Sequence, residues 1–206
     1  LLSGLATDSA VLQRIYGIKD RSISPNTVGG LPTTGLVDVS SVSVTAGGLV
    51  NGSTQFNDYL ATFDAAGGWY RNLAAATTLG GSERVVSNQA LVSGLLLTTT
   101  YVPSKDLCAN LGTSNLSVLN YKAGVASPSM ANAGSGTPPS SSTVVNPSTA
   151  LGPGVPSAPT IAIGQGQGSR SSRACSQTST GAIICQDLES EQLSRSGESS
   201  WRQPSN

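Results

Sequence analysis

The stretch that decides the fold reads GWYRNL over residues 68–73, GSERVVSNQALVSGLLLTTTYVPSKDLC over 81–108 and GTSNLSVLNYKAG over 112–124. Its apolar runs are strand-like and are punctuated by Gly, Ser, Asn and Pro. Val85-Val86 leads to a turn, either near Asn88-Gln89 or, preferably, at Ser93-Gly94. Side chains alternate along a strand, so Leu95, Leu97 and Thr99 share one face and Leu96, Thr98 and Thr100 the other. Neither face is strongly polar, as expected for a strand stacked between neighbouring sheets. Asn115 to Tyr121 reads as the next strand, with Lys122-Ala123-Gly124 as its exit turn. This is the order of an up-and-down sheet or a propeller blade rather than of a catalytic pocket.

Outward from this centre the signals weaken. In VLQRIYGIKD (11–20), Leu12, Ile15 and Ile18 have helical spacing, but the turn signals Asp20-Arg21 and Ser24-Pro25 follow at once and favour a short strand. Residues 21–55 read as loop, with Val37, Val39, Val42 and Val44 allowing one edge strand. Phe56, Leu60 and Phe63 then fall at i, i+4 and i+7. They fit a short helix capped by Asn57-Asp58, or a loop whose aromatics plug the end of a sheet. Residues 125–158 are rich in Ser, Pro, Gly, Thr and Asn without periodicity and read as a flexible or extended surface segment. Pro159 to Ile163 reads as a strand, GQGQGSRSSR (164–173) as a loop, and Ala174 to Gln186 as a hairpin turning at Ser179-Thr180-Gly181.

Composition narrows the function. Lys plus Arg equals Asp plus Glu at 11 each, so the formal net charge is zero and no basic patch is available for nucleic acid. Charged residues make up 11% of the chain, against a usual figure of about 25%. The absence of histidine removes the commonest general base and metal ligand, and with them any Ser-His-Asp or Cys-His site within the chain. No SxxK motif exists, and Lys19, Lys105 and Lys122 all lie at strand exits. Asp58, Asp64 and Asp106 lack the spacing of a Ca²⁺ loop. Gly164, Gly166 and Gly168 do not make a phosphate loop, since no Lys-Ser/Thr or helix start follows. We therefore expect no enzyme, no cofactor and no metal. The longest apolar run, around Leu95 to Leu97, is far too short to span a bilayer. The chain opens on Leu1-Leu2 rather than Met, as a processed product, a fragment or a partial sequence would, and any export signal would have to be encoded upstream of Leu1.

Cys175 and Cys185 sit symmetrically about Thr180. In a hairpin closed there they oppose each other directly, and opposed Cβ atoms about 4.5–5.5 Å apart are close to disulfide range. A cross-strand disulfide is the expectation; two separate small core residues in a reducing compartment are the alternative. Cys108 is left unpaired by this scheme.

The order of these parts resembles the C-terminal region of the PilY-type proteins, the tip-associated adhesins and assembly factors of type IV pili. The resemblance is carried by Gly68-Trp69-Tyr70 with Leu73, and by Ser82-Glu83-Arg84-Val85-Val86. It continues in Leu97-Thr98-Thr99 with Pro103, Asp106 and Cys108, and in Gly112-Thr113-Ser114 with Leu116, Leu119 and Gly124. It runs on more thinly in VPSAPTIAIG (155–164), STGAII (179–184) and Ser200-Trp201-Arg202-Gln203, and QRIYGIKD (13–20) resembles the strand that enters a late blade. Leu95 to Leu97 stand where the family has aromatics, Gly112 is single where the family has a pair, and the family's calcium loop has no match here.

What the resemblance implies is an all-β chain forming the last blades of a β-propeller, with long irregular loops. Its parts would be a loop-rich N-terminal region with an entering strand (1–66), a propeller-like blade (67–124), a Ser/Pro/Gly-rich linker (125–158) and a C-terminal β-hairpin and tail (159–206). The implied role is that of an extracellular, pilus-associated and non-enzymatic tip component in adhesion and pilus biogenesis. Its expected partners are pilin or minor pilin subunits, its own N-terminal remainder or copies of itself, with no nucleic acid and no membrane span. Trp69 and Trp201 would be structural anchors, with Lys105 and Asp106 the loop residues most apt for contact. The alternative is a structural filament subunit assembling by β-strand addition, because a partial propeller exposes open sheet edges.

Overall fold

The computed structural model describes residues 12–19, 35–106, 111–132, 139–163 and 172–189. Along the chain the elements are β1 (Arg14–Ile18), β2 (Leu36–Asp38), β3 (Leu49–Val50), β4 (Thr54–Gln55), helix α1 (Phe56–Thr62), β5 (Gly68–Asn72), β6 (Arg84–Val85), β7 (Ala90–Val92), β8 (Leu95–Val102) and β9 (Thr113–Asn120). A 3₁₀ turn (Pro128–Asn132), β10 (Ser148–Pro153), β11 (Thr160–Ile163), β12 (Ser172–Gln177) and β13 (Ile183–Leu188) follow. The described residues are mostly β, with one short α-helix, and their strands form several small sheets, none of them closed.

The largest sheet is built on β8. It pairs antiparallel with β9 from Leu95↔Asn120 to Val102↔Thr113, and β9 pairs with β10. On its other side β8 takes β7 near its start and β6 near its end, so the two short strands lie end to end along one edge. The turn from β7 to β8 is at Ser93-Gly94, both with positive φ (45° and 82°). Two consecutive positive φ values define the hairpin turn whose twist matches its strands. Leu95 and Leu97 are buried on one face of β8, and Thr98, Thr99 and Thr100 are fully buried. The threonines tolerate this because each hydroxyl is bonded. Thr98 accepts from the Gln89 amide, Thr99 donates to the Ser157 carbonyl at 3.1 Å, and Thr100 donates to the Glu83 carboxylate.

GWYRN departs from the blade reading. As β5 it lies in a separate sheet of order β1-β5-β2, antiparallel to β1 and parallel to β2. The strand lean for residues 14–18 and the edge strand near Val37 are both present. The parallel β2–β5 pair is joined by the β3–β4 hairpin and α1, the longer connection that parallel strands need. α1 realises the helical alternative: Phe56 and Leu60 pack on the core and Phe63 is buried. Its N-cap is Gln55, without a side-chain cap bond, and Asp58 lies in the first turn, where its charge suits the helix dipole.

The Ser/Pro/Gly-rich stretch 125–158 also departs from the sequence reading. Val125, Ala126, Met130, Val145 and Leu151 are buried, and Ser148–Pro153 completes the large sheet. Backbone bonds from Val145 to Val44 (2.8 Å), Ala46 to Thr143 (2.8 Å) and Gly47 to Ser141 (2.8 Å) pin it along the segment before β3. The isolated apolar residues are too widely spaced to show a period, yet each fills a place in the core.

One core cluster runs from Ile15 to Leu188, and Trp69 joins its parts. The indole, 2% exposed, donates from Nε1 to the Tyr121 carbonyl at 2.9 Å. A Cβ placed on Gly17, the cross-strand partner of Trp69, would lie 2.2 Å from indole Cε2. A Cβ on Gly124, which has φ +67°, would lie 2.3 Å from indole Cε3. Two glycine backbones thus pack on one ring that links β1, β5 and the end of β9. Trp69→Ala is expected to cost about 3–5 kcal/mol. Gly124→Ala, combining overpacking with a disfavoured φ, is expected to cost about 2–4 kcal/mol. Urea unfolding followed by far-UV circular dichroism reads both, and a loss below about 1 kcal/mol for either would remove the ring from this role.

Candidate functional site

A cleft of about 530 Å³ opens beside β1. Four consecutive residues, Tyr16 to Lys19, form one wall. The opposite wall is Gln89 with Leu91 and Leu96, a directly opposed pair on β7 and β8. Trp69, Phe63, Asp64, Tyr121 and Lys122 complete the lining. Of the chain's five tyrosines, Tyr16 and Tyr121 are the exposed ones, at 49% and 53%, and both border this cleft. Leu91 (61%) and Ile18 (39%) add exposed apolar surface to it. Grouping of exposed apolar side chains in one place is the mark of a contact surface, whereas single ones are ordinary.

The strand chemistry explains the exposure. Side chains on β1 alternate: Ile15 is buried, Gly17 faces the indole, and Tyr16 and Ile18 point away from the core. The Gly17 position admits no side chain, so the indole itself covers that part of β1. Tyr16 lies 6.3 Å from the Tyr70 ring, and the Arg14 guanidinium stacks over Tyr70 at 4.9 Å while donating to Asn72. A hydroxyl bond and a backbone bond from Ser40 hold the Asp38 carboxyl below its ordinary range. Its bond with the Tyr70 phenol pushes that group up, because a phenolate beside a carboxylate is disfavoured.

Charge gathers at one end of the cleft. Lys122 pairs with the Asp64 carboxylate at 2.9 Å, and Lys19 donates to the Asp64 carbonyl at 3.0 Å. One ammonium group thus takes the Asp64 carboxylate and the other its backbone carbonyl. The hydrogen bond from Lys122 lowers the Asp64 carboxyl below its ordinary range, and the Lys19 charge acts in the same direction. A second cleft, of about 470 Å³, lies across α1, lined by Phe56, Leu60, Ser93, Asn120 and Ser127 to Ser129, and it shares Tyr121 and Lys122 with the first. Both offer aromatic and leucine side chains, amides, hydroxyls and ammonium groups, a lining suited to binding. Among the described residues no three Cys, Asp or Glu side chains are gathered as a metal site would need, and no helix is long and apolar enough to cross a membrane.

The residues singled out in the sequence fall in different places. Cys175 and Cys185 are directly opposed on β12 and β13 and form a disulfide. It lies on the outward face, since Ser172, Ala174 and Ser176 alternate inward and Cys185 is exposed. The Arg173–Asp187 ion pair flanks it. Trp69 stands at the base of the β1 cleft. Lys105 donates from Nζ to the Thr77 carbonyl and the Asp106 N–H donates to Ser104 Oγ at 3.1 Å, both in the loop after β8 and away from the cleft. Trp201 and Cys108 lie outside the described residues. Tyr16, Leu91 and Tyr121 were not singled out. The signal available for them was Gly17 within a strand and a Trp in a chain with few aromatics.

Two measurements follow from this geometry. Replacing both Cys175 and Cys185 with Ser is expected to lower stability by about 2–3 kcal/mol, the loop entropy of a short closure. Urea midpoints of oxidised wild type and the double variant check it, and equal midpoints would show a bond without stabilising effect. A lowered Asp64 pKa means its contribution is complete above the unfolded value and is lost as pH falls through the folded one, in the acid range below about 4. Carboxyl-carbon NMR titration should show Asp64 moving up toward the ordinary range in Lys122→Ala, and an unmoved Asp64 would remove the Lys122 bond as the cause. No protein-family model, curated protein or solved structure matches this chain.

Proposed function

We propose that this chain is part of an extracellular, non-enzymatic component of the type IV pilus tip, an adhesin or assembly factor of the PilY type, and that it acts through sheet edges and loops. The observation that carries the reading is where the resembling motifs fall. Ser82 to Val86, Leu97 to Thr99 and Gly112 to Leu119 map in order onto β6, β8 and β9, successive members of one antiparallel sheet that β10 extends. An antiparallel up-and-down sheet of this kind is the repeating unit of a propeller, and the β11-β12-β13 meander is a second, shorter one. The disulfide supports an oxidising location, and its outward face supports a stabilising rather than a core-filling role.

Immunogold labelling with an antibody against this chain tests the reading. Label at pilus tips or the outer surface, together with loss of surface pili on gene deletion, is the expected result. Cytoplasmic label, or unchanged piliation and adhesion, would overturn it. The edges of β1 and β10, with which no further strand among the described residues pairs, favour one alternative, a filament subunit that assembles by strand addition. Long regular fibres of the purified chain by electron microscopy would select that alternative.

A further inference from the structure

The free edge of β1 and the cleft beside it have a chemistry of their own. In an antiparallel pair, alternate residues direct both backbone polar groups to the partner strand. Leu73 N–H donates to the Gln13 carbonyl at 2.9 Å and Lys19 N–H donates to the Gly67 carbonyl at 3.0 Å, so the odd-numbered residues of β1 face β5. Arg14, Tyr16 and Ile18 therefore turn their N–H and C=O groups outward, and no strand among the described residues pairs with that edge. Tyr16 and Ile18, which carry these outward groups, line the cleft together with an apolar pair, Leu91 and Leu96. At the Lys19 end Lys122 takes the Asp64 carboxylate while Lys19 donates to the Asp64 backbone carbonyl, and among the described residues Lys19 has no carboxylate within ion-pair distance.

We propose that this cleft captures an extended strand of a partner protein, which pairs with the outward groups of β1, lays alternate apolar side chains against Leu91 and Leu96, and sets an acidic side chain beside Lys19. This rests on the reading that the chain works through its sheet edges, and it names the edge and the partner's chemistry. Backbone pairing supplies affinity without sequence preference; the leucine wall and the spare ammonium charge supply selection. The four-residue wall spans about 13 Å at strand rise, enough to register a short segment. The excess positive charge argues for an acidic strand over a neutral one or a second copy of the chain, whose own β1 brings Arg14 and Lys19 to the same place.

The test uses the whole chain and two fluorescein-labelled octapeptides of alternating Thr and Val, one ending in Asp and one in Lys, read by fluorescence anisotropy. The acidic peptide is expected to bind saturably and about 5-fold more tightly than its twin, the scale of one partly exposed charge pair. Ile18→Pro removes an outward N–H and leaves the bonds of Gly17 and Lys19 to β5, and it should weaken both peptides about 10-fold. Lys19→Gln should erase the preference for Asp while keeping the shared affinity, and Leu91→Ser should weaken both peptides alike. These two variants decide the matter should Ile18→Pro fail to fold. No saturable binding below about 1 mM, or binding untouched by Lys19→Gln and Leu91→Ser, overturns the proposal. The experiment involves no pilus, so failure here with label at the tip removes the strand site alone. Capture without pilus association removes the pilus reading alone.

Discussion

The contact of one indole with two glycine backbones constrains the rest of this fold. With few aromatics and few charges, the chain cannot fasten its sheets with large side chains or ion networks. Trp69 lies instead against Gly17 on one strand and Gly124 after another, with its N–H on the Tyr121 carbonyl. Backbone reaches a ring more closely than any side chain, so the two sheets approach each other at these points. The arrangement also sets what is exposed. Gly17 faces the indole, so by strand alternation Tyr16 and Ile18 lie on the other face, exposed, on a strand whose outer edge no described strand pairs with.

The large sheet solves a different problem. β8 is covered on both faces, yet its second half carries three threonines in succession. An aliphatic strand there would bury well but would not hold the segments that cover it in place. The hydroxyls reach Glu83, Gln89 and the Ser157 carbonyl, so the chain before β6, the β6–β7 link and the approach to β11 are each fixed by a directional bond. Leaving one of these partners unbonded in the interior costs more than the bond itself contributes, so this strand fixes position as well as area.

Legibility in the sequence followed local physics. The Ser93-Gly94 turn, the β8–β9 pairing and the Cys175–Cys185 hairpin were readable because turn residues and strand alternation act within about ten residues. Two assignments depended on distant partners and were not readable. Trp69 and its neighbours look like the first strand of the blade but pair with Arg14–Ile18, more than fifty residues earlier. The run 125–158 has the composition of a linker, and its strand is specified by the exposed edge of β9 and by the segment near Val44 rather than by its own period. The β1 cleft was invisible for the same reason: it needs Tyr16 and Leu91 from two strands and Tyr121 from the turn after β9 to converge.

The outer faces of the small sheets show how this chain distributes stability and exposure. The C-terminal meander has a thin inward face, Ser172, Ala174, Ser176 and Leu188, and adds a covalent bond on the outward one. A sheet with so little apolar area gains much from a crosslink, since small cores are marginal without one. Among the described residues the β1 sheet carries no such crosslink, its outward face has a cation stacked on an aromatic ring, and no strand pairs with the outer edge of β1. Natural edge strands are usually blunted by charge, bulge or cover. Here Arg14 and Lys19 bracket the edge, while Tyr16 and Ile18 between them stay apolar and open. Charge at both ends discourages pairing with another copy of the same edge, and an apolar centre keeps the edge receptive. That combination is what selective, rather than indiscriminate, strand pairing requires.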